Sequence, residues 1–166
     1  MRKLLVLRHA KAERDSSTGR DFDRPLAERG RQDAREVGRV MRDRGLNPDA
    51  VIASPAQRVV ETLAALAEGY GPLDVEYDRR IYNALPETLL DVVRGTDDGV
   101  QTLLLVGHNP GLPSLLLELA RADGGVLRAR IEQDFSTATL AAVELSARSW
   151  SGVEPATGEI VDLIVR

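Results

Sequence analysis

The feature that most limits what this chain can fold into is a rhythm of two lengths. Short apolar runs, LLVL at 4–7, AVIA at 50–53 and TLLLVG at 102–107, are separated by longer stretches whose apolar residues recur every three to four positions. A short run apolar throughout suits a strand buried on both faces, and a 3.6-residue period suits a helix covering one face. Their alternation predicts βα units around a largely parallel sheet. Residues 26–45, LAERGRQDAREVGRVMRDRG, set Ala27, Gly30, Ala34, Val37 and Met41 on one helical face and stop at Gly45. Behind AVIA, Ser54 and Pro55 predict a capped helix start, with Val59, Val60, Leu63 and Ala67 on its buried face. VEY at 75–77 reads as a third strand, Pro86 opens another helix, and PSLLLELA after the most apolar strand gives one more. The end changes character. Residues 137–147 and 158–165 are both β-like and too close together for a crossover helix, which predicts an antiparallel hairpin at the sheet edge. The expected fold is a three-layer α/β/α sandwich with a mostly parallel central sheet and an antiparallel C-terminal edge hairpin, forming a single domain over residues 1–166.

Composition narrows the function classes. At 166 residues and 43% apolar content the chain can bury one sizeable core. Its net charge of -4 arises from interspersed acids and bases, which offers no basic face to nucleic acid and no polybasic anchor to a membrane. With no cysteine, disulfides, thiolate nucleophiles and cysteine zinc sites are excluded. The apolar run before Arg8 is only four residues, too short for a signal sequence or a membrane span, so a cytoplasmic chain is expected.

Chemistry-bearing residues gather at one place in this scheme. In open α/β sheets, ligands bind beyond the carboxyl ends of the parallel strands. Arg8 and His9 follow the first strand directly, His108 follows TLLLVG, and Arg58 lies within reach of the end of AVIA. The chain has two histidines, and both fall at such ends. Any one of these residues alone is ordinary, a capped histidine or a solvated arginine. Together with the free N–H groups of helix starts at Ser54 and near Pro110, they predict a pocket for an anion with tetrahedral oxygens. Paired histidines also suit a metal, but two adjacent arginines would repel the cation.

The motifs LRHAKAE, RPLAERGRQDA, SPAQRVVET and GHNPG, spread over nearly the whole chain, resemble the histidine phosphatase superfamily, the branch that includes phosphoglycerate mutases. The compact length, RHAKAE and GHNPGL are most similar to SixA-type phosphohistidine phosphatases. The resemblance implies His9 as nucleophile, Arg8 and Arg58 as phosphate ligands, and His108 as a further phosphoryl contact. It also implies a phosphorylated protein partner, such as a histidine phosphotransfer domain, and a place in signal transduction; the sequence has no nucleotide-type phosphate loop, so no bound cofactor is expected, and the arginines argue against a metal. Position 10 departs from the signature, with alanine where many members have glycine.

The chemistry is legible from the residues as well. A neutral imidazole of His9 can attack phosphorus in line and give a phosphohistidine intermediate that water hydrolyses. Neighbouring arginines disfavour a third positive charge, lowering its pKa from the ordinary value of about 6.5. Their planar forks match equatorial phosphoryl oxygens, and a protonated His108 would add one more cationic donor. One role goes unfilled. Superfamily members that cleave esters share a glutamate behind the third strand that protonates the departing alkoxide, and here that neighbourhood reads RRIYNALPE, with Tyr82, Asn83 and Ala84. Glu87 reads as a helix-start residue favoured by the dipole, and the carboxylates of AERDSSTGRDFD as solvated loop charges or substitutes for the acid. The imidazole of phosphohistidine leaves far more readily than an alkoxide, so the gap suits a P–N substrate. A small-molecule phosphomonoesterase and a non-catalytic phosphoprotein-binding module stand as the alternatives.

Overall fold

The computed structural model describes residues Met1–Arg166. Its elements run β1 (Arg2–Arg8), α1 (Glu28–Asp43), β2 (Ala50–Ala53), α2 (Gln57–Tyr70), β3 (Val75–Tyr77), α3 (Pro86–Arg94), β4 (Thr102–Gly107), α4 (Gly111–Leu119), α5 (Gly125–Gln133), β5 (Leu140–Leu145) and β6 (Gly158–Ile164). The six strands form one sheet in the order β3-β2-β4-β1-β5-β6. Strands β1, β2, β3 and β4 are mutually parallel, whereas β5 lies antiparallel to both β1 and β6, so the sequence-predicted edge hairpin is present. No helix is long and apolar enough to cross a membrane.

The unbroken apolar strands divide their side chains between two cores, as alternation across a pleat requires. Leu4, Val6, Leu103 and Leu105 face α3, α4 and α5. Leu5, Leu7, Leu104 and Val106 face α1 and α2. On that second side the two helices approach backbone to backbone. A Cβ on Gly38 would stand 2.2 Å from the carbonyl oxygen of Leu66, and one on Gly69 would stand 2.0 Å from that of Arg35. Glycine is required at both positions because a methyl group has no room there.

Four local readings are corrected. Ala27 caps α1 from outside, with the helix beginning at Glu28. Ser54 and Pro55 precede α2, whose N-cap is Ala56 without a side-chain cap of its own, and the Ser54 hydroxyl accepts both from the Ala56 N–H at 3.3 Å and from His108 Nε2 at 2.7 Å. On α2, Val60 is exposed and Ala67 half-buried, while Thr62, Ala65 and Leu66 are buried. Helix α5 is an addition, in a stretch whose buried face comes down to Ile131 and which has no strong apolar period to announce it.

Strand register places the site. Arg8 pairs with Gly107 and Ala53 with Val106, so β1, β4 and β2 end level with one another. His9, His108 and Ser54 therefore leave the sheet side by side, as adjacent parallel strands sharing a carboxyl edge must.

Candidate active site

His9 and His108 sit with ring centroids 5.3 Å apart and are 7% and 6% exposed. The His9 Nδ1 lies 2.7 Å from the carbonyl oxygen of Ala10. A carbonyl only accepts, so Nδ1 carries the proton and the Nε2 lone pair is left facing the pocket. His108 is held the other way round. Its Nδ1 faces Arg58 Nη2 at 3.3 Å, and because a guanidinium only donates, the proton is on Nε2, which donates to Ser54 Oγ at 2.7 Å.

Burial pushes the His9 pKa down to about 4, and the positive charges of Arg58, Arg8 and Arg24 add to the fall against the opposing bond to Ala10. Burial likewise takes His108 to about 3, with Arg58 the next cause. Desolvation thus outweighs the arginines in keeping His9 neutral. At His108 the opposing charge of Asp21 is smaller than the effects of burial and of Arg58, so in the protein by itself His108 is neutral.

Arg58 is 4% exposed and is the second residue of α2. Its Nε donates to His9 Nε2 at 3.4 Å, its Nη1 to the Asp21 carbonyl oxygen at 2.9 Å, and its Nη2 to Asp21 Oδ2 at 3.1 Å. The fork is thus largely engaged with groups of the protein itself. Asp21 belongs to a short 3-10 turn, Asp21–Asp23, in the loop before α1. Tyr82 donates to the same Oδ2 at 2.6 Å, and Arg24 Nη1 to Oδ1 at 3.0 Å. The Tyr82 bond, followed by Arg24 and Arg58, holds the Asp21 carboxyl well below the usual carboxylate range. Tyr82 also stands edge-on to His108 and Phe22, with centroids 5.5 and 5.1 Å away.

Arg8 reaches the pocket from the end of β1. Its Nη1 and the Asn109 Nδ2 both donate to the Phe135 carbonyl oxygen, at 3.2 and 2.8 Å, and Arg8 Nε has no partner. The pocket of about 270 Å³ is lined by ten residues, including Arg8, His9, Arg58 and His108 together with Lys11, Arg24, Asn83 and Asn109. None of the ten is acidic. Glu87 is exposed in the first turn of α3 and takes no part in this lining. Within RRIYNALPE the pocket takes Asn83, in the left-handed region at φ 52°, where asparagine is tolerated.

The structure brings together all four sequence-predicted site residues. Sequence reasoning missed Lys11, Arg24, Asn83 and Asn109 and the specific place of Asp21. Nothing in AERDSSTGRDFDR separates Asp21 or Arg24 from their charged neighbours, since only the path of the loop back over α2 singles them out. Arg24, Asn109 and Lys11 lie inside the motifs RPLAERGRQDA, GHNPG and LRHAKAE, which is the signal the sequence holds for them.

An open α/β sheet that presents an unprotonated imidazole nitrogen among arginines, at aligned strand ends, defines a nucleophile-and-oxyanion site. The model of the histidine phosphatase superfamily (branch 1) matches residues 4–84. The Mycobacterium tuberculosis protein Rv1276c is 34% identical over 159 residues, covering 93% of this chain and 96% of that one. The chain belongs to the histidine phosphatase superfamily. Among solved structures, a protein from Agrobacterium tumefaciens assigned as the phosphohistidine phosphatase SixA superposes with TM-score 0.84 at 30% identity, over 99% of this chain and 98% of that one. One from Nakamurella multipartitia with the same assignment gives 0.80 at 28%, over 99% and 95%.

Proposed function

We propose that this protein is a metal-independent phosphatase that removes the phosphoryl group from phosphohistidine on a partner protein such as a histidine phosphotransfer domain. The observation that carries the reading is the neutral His9, its Nε2 free of a proton, in a pocket whose lining holds arginines but no carboxylic acid. His9 Nε2 attacks phosphorus, the P–N bond of the substrate breaks, and its electron pair stays on the departing ring nitrogen. A substrate ring protonated on its other nitrogen leaves as neutral imidazole, so no donor is needed. Water then attacks the phosphorus on His9, returns the imidazole and releases phosphate. Arg8 and Arg58 bear on the equatorial oxygens, where the charge of the transition state is spread. His108 gains a counter-charge when the phosphoryl group arrives and contacts it as a donor.

Two further observations support this reading over its rivals. No three His, Cys, Asp or Glu side chains group as metal ligands, and cations surround both histidines. Asp21 cannot serve as a proton donor at neutral pH while Tyr82, Arg24 and Arg58 hold it ionised. The test is turnover of a phosphohistidine peptide beside a panel of alkyl and aryl phosphates. Preference for the P–N bond is expected. Faster turnover of alkyl phosphates would establish a phosphomonoesterase, and binding without turnover would establish a phosphoprotein-binding module.

A further inference from the structure

Behind the pocket, one hydroxyl ties together the two segments that carry its central residues. Thr62 lies on α2 one turn after Arg58 and is fully buried. Its Oγ1 donates to the Arg58 carbonyl oxygen at 2.6 Å, the ordinary back-bond of a threonine within a helix. That bond uses the hydroxyl's one proton and leaves its lone pairs free. They are not left to the helix, because Oγ1 also accepts from the backbone N–H of Ala10 at 3.0 Å, across 52 positions of sequence. The Ala10 carbonyl oxygen in turn accepts from His9 Nδ1 at 2.7 Å.

From this chain of bonds we propose that Thr62 is the positioning residue of the nucleophile. The proposal rests on His9 being the group that attacks phosphorus. By fixing the Ala10 N–H, the hydroxyl sets where the segment behind His9 runs relative to α2. It thereby helps place the carbonyl that holds the imidazole in the tautomer and orientation presenting Nε2. Other bonds hold the backbone of His9 itself, from its N–H to the Gly107 carbonyl and from Ala138 N–H to its own carbonyl, both at 3.1 Å. Those bonds place the backbone of His9, and neither reaches its ring. The small residue at position 10 fits the same picture, since Ala10 is fully buried where it turns back against Thr62.

A nucleophile displaced by about 1 Å is expected to lose on the order of 10²-fold in the rate of attack. The anion-binding arginines have their own supports, so oxyanion affinity is expected to stay. Thr62→Val keeps the volume and removes the hydroxyl, and Thr62→Ser keeps the hydroxyl. The experiment measures phosphoenzyme formation by rapid quench with an activated aryl phosphate, and tungstate affinity by calorimetry on the same preparations. Thr62→Val should form phosphoenzyme on the order of 10²-fold more slowly, with tungstate affinity within about twofold of wild type, and Thr62→Ser should restore most of the rate. Should Thr62→Val fail to fold, Thr62→Ala is read in its place. Equal rates in wild type and Thr62→Val, or parallel loss of rate and tungstate binding, would overturn the proposal. If wild type itself traps no phosphate on His9, the reading beneath the proposal fails; if wild type traps it and Thr62→Val does so equally fast, the proposal alone fails.

Discussion

The guanidinium of Arg58 bridges the two imidazoles of the pocket, with its Nε 3.4 Å from His9 Nε2 and its Nη2 3.3 Å from His108 Nδ1. It donates to a lone pair on each ring, so both rings must be neutral for the bridge to exist. Burial supplies that neutrality, taking His9 to about 4 and His108 to about 3. The chain contains no other histidine, so its imidazole resonances belong to this site alone. In an NMR titration of the free protein both rings should stay neutral from pH 8 down to about 5, with protonation setting in only below. The sign follows from burial, which disfavours the charged form and moves a histidine pKa downward. A midpoint near the ordinary value of about 6.5 for either ring would contradict the bridge.

Asp21 competes for the same guanidinium, holding Nη2 with its carboxylate and Nη1 with its backbone carbonyl. Asp21→Asn keeps an acceptor for Arg58 and Tyr82 and removes one negative charge beside the pocket. For a carboxylate about half exposed to solvent the electrostatic gain is modest, about 1 kcal/mol or less. Tungstate affinity measured by calorimetry should rise about threefold, and the gain should shrink in high salt. Weaker binding would show that the carboxylate aims Arg58 at the anion rather than competing with it.

Arg58→Lys keeps the charge but gives up the planar fork that spans His9, His108 and the phosphoryl oxygens. Loss of one preorganised donor to a developing oxyanion costs on the order of 10²- to 10³-fold in rate. A kcat/KM reduced at least that far is expected for Arg58→Lys, and activity of the wild-type protein should survive exhaustive chelation. Loss of activity with EDTA, restored by one divalent metal, would overturn the metal-free mechanism.

The acid-free lining predicts how rates depend on the leaving group. With no side chain to protonate the departing oxygen, charge must be borne by the leaving group itself. Among phosphate esters kcat/KM should therefore climb steeply as leaving-group pKa falls, with alkyl phosphates scarcely hydrolysed. Glu87→Gln should change little, because Glu87 is exposed and absent from the pocket lining. A flat dependence would reveal an acid, and loss of alkyl phosphatase activity in Glu87→Gln would identify it.

The site was legible in the sequence where backbone pattern determines position. LLVL, AVIA and TLLLVG are apolar enough to be central strands, and level strand ends bring Arg8, His9, His108 and Ser54 together without any further information. A serine before proline reads as a helix-start residue, and the Ser54 hydroxyl does take the Ala56 N–H, but only the neighbouring strand end supplies its shorter bond with His108. Asp21 was hidden among equivalent loop charges, since its role comes from a non-local contact between the loop before α1 and the start of α2. Thr62 closes the motif SPAQRVVET, but nothing local marks its bond, because its partner lies 52 positions away. On α2 the apolar Val60 is exposed and Ala67 half-buried while the polar Thr62 is fully buried against the Ala10 N–H, a non-local contact that hydrophobic period does not encode.

The most direct test of the account is to trap the covalent intermediate. Wild-type protein mixed with a labelled activated aryl phosphate and quenched in the millisecond range should carry acid-labile, alkali-stable phosphate, mapped by peptide mass spectrometry to His9. His9→Ala should carry none and lose turnover. Phosphate on another residue, or wild-type turnover in His9→Ala, would contradict the mechanism.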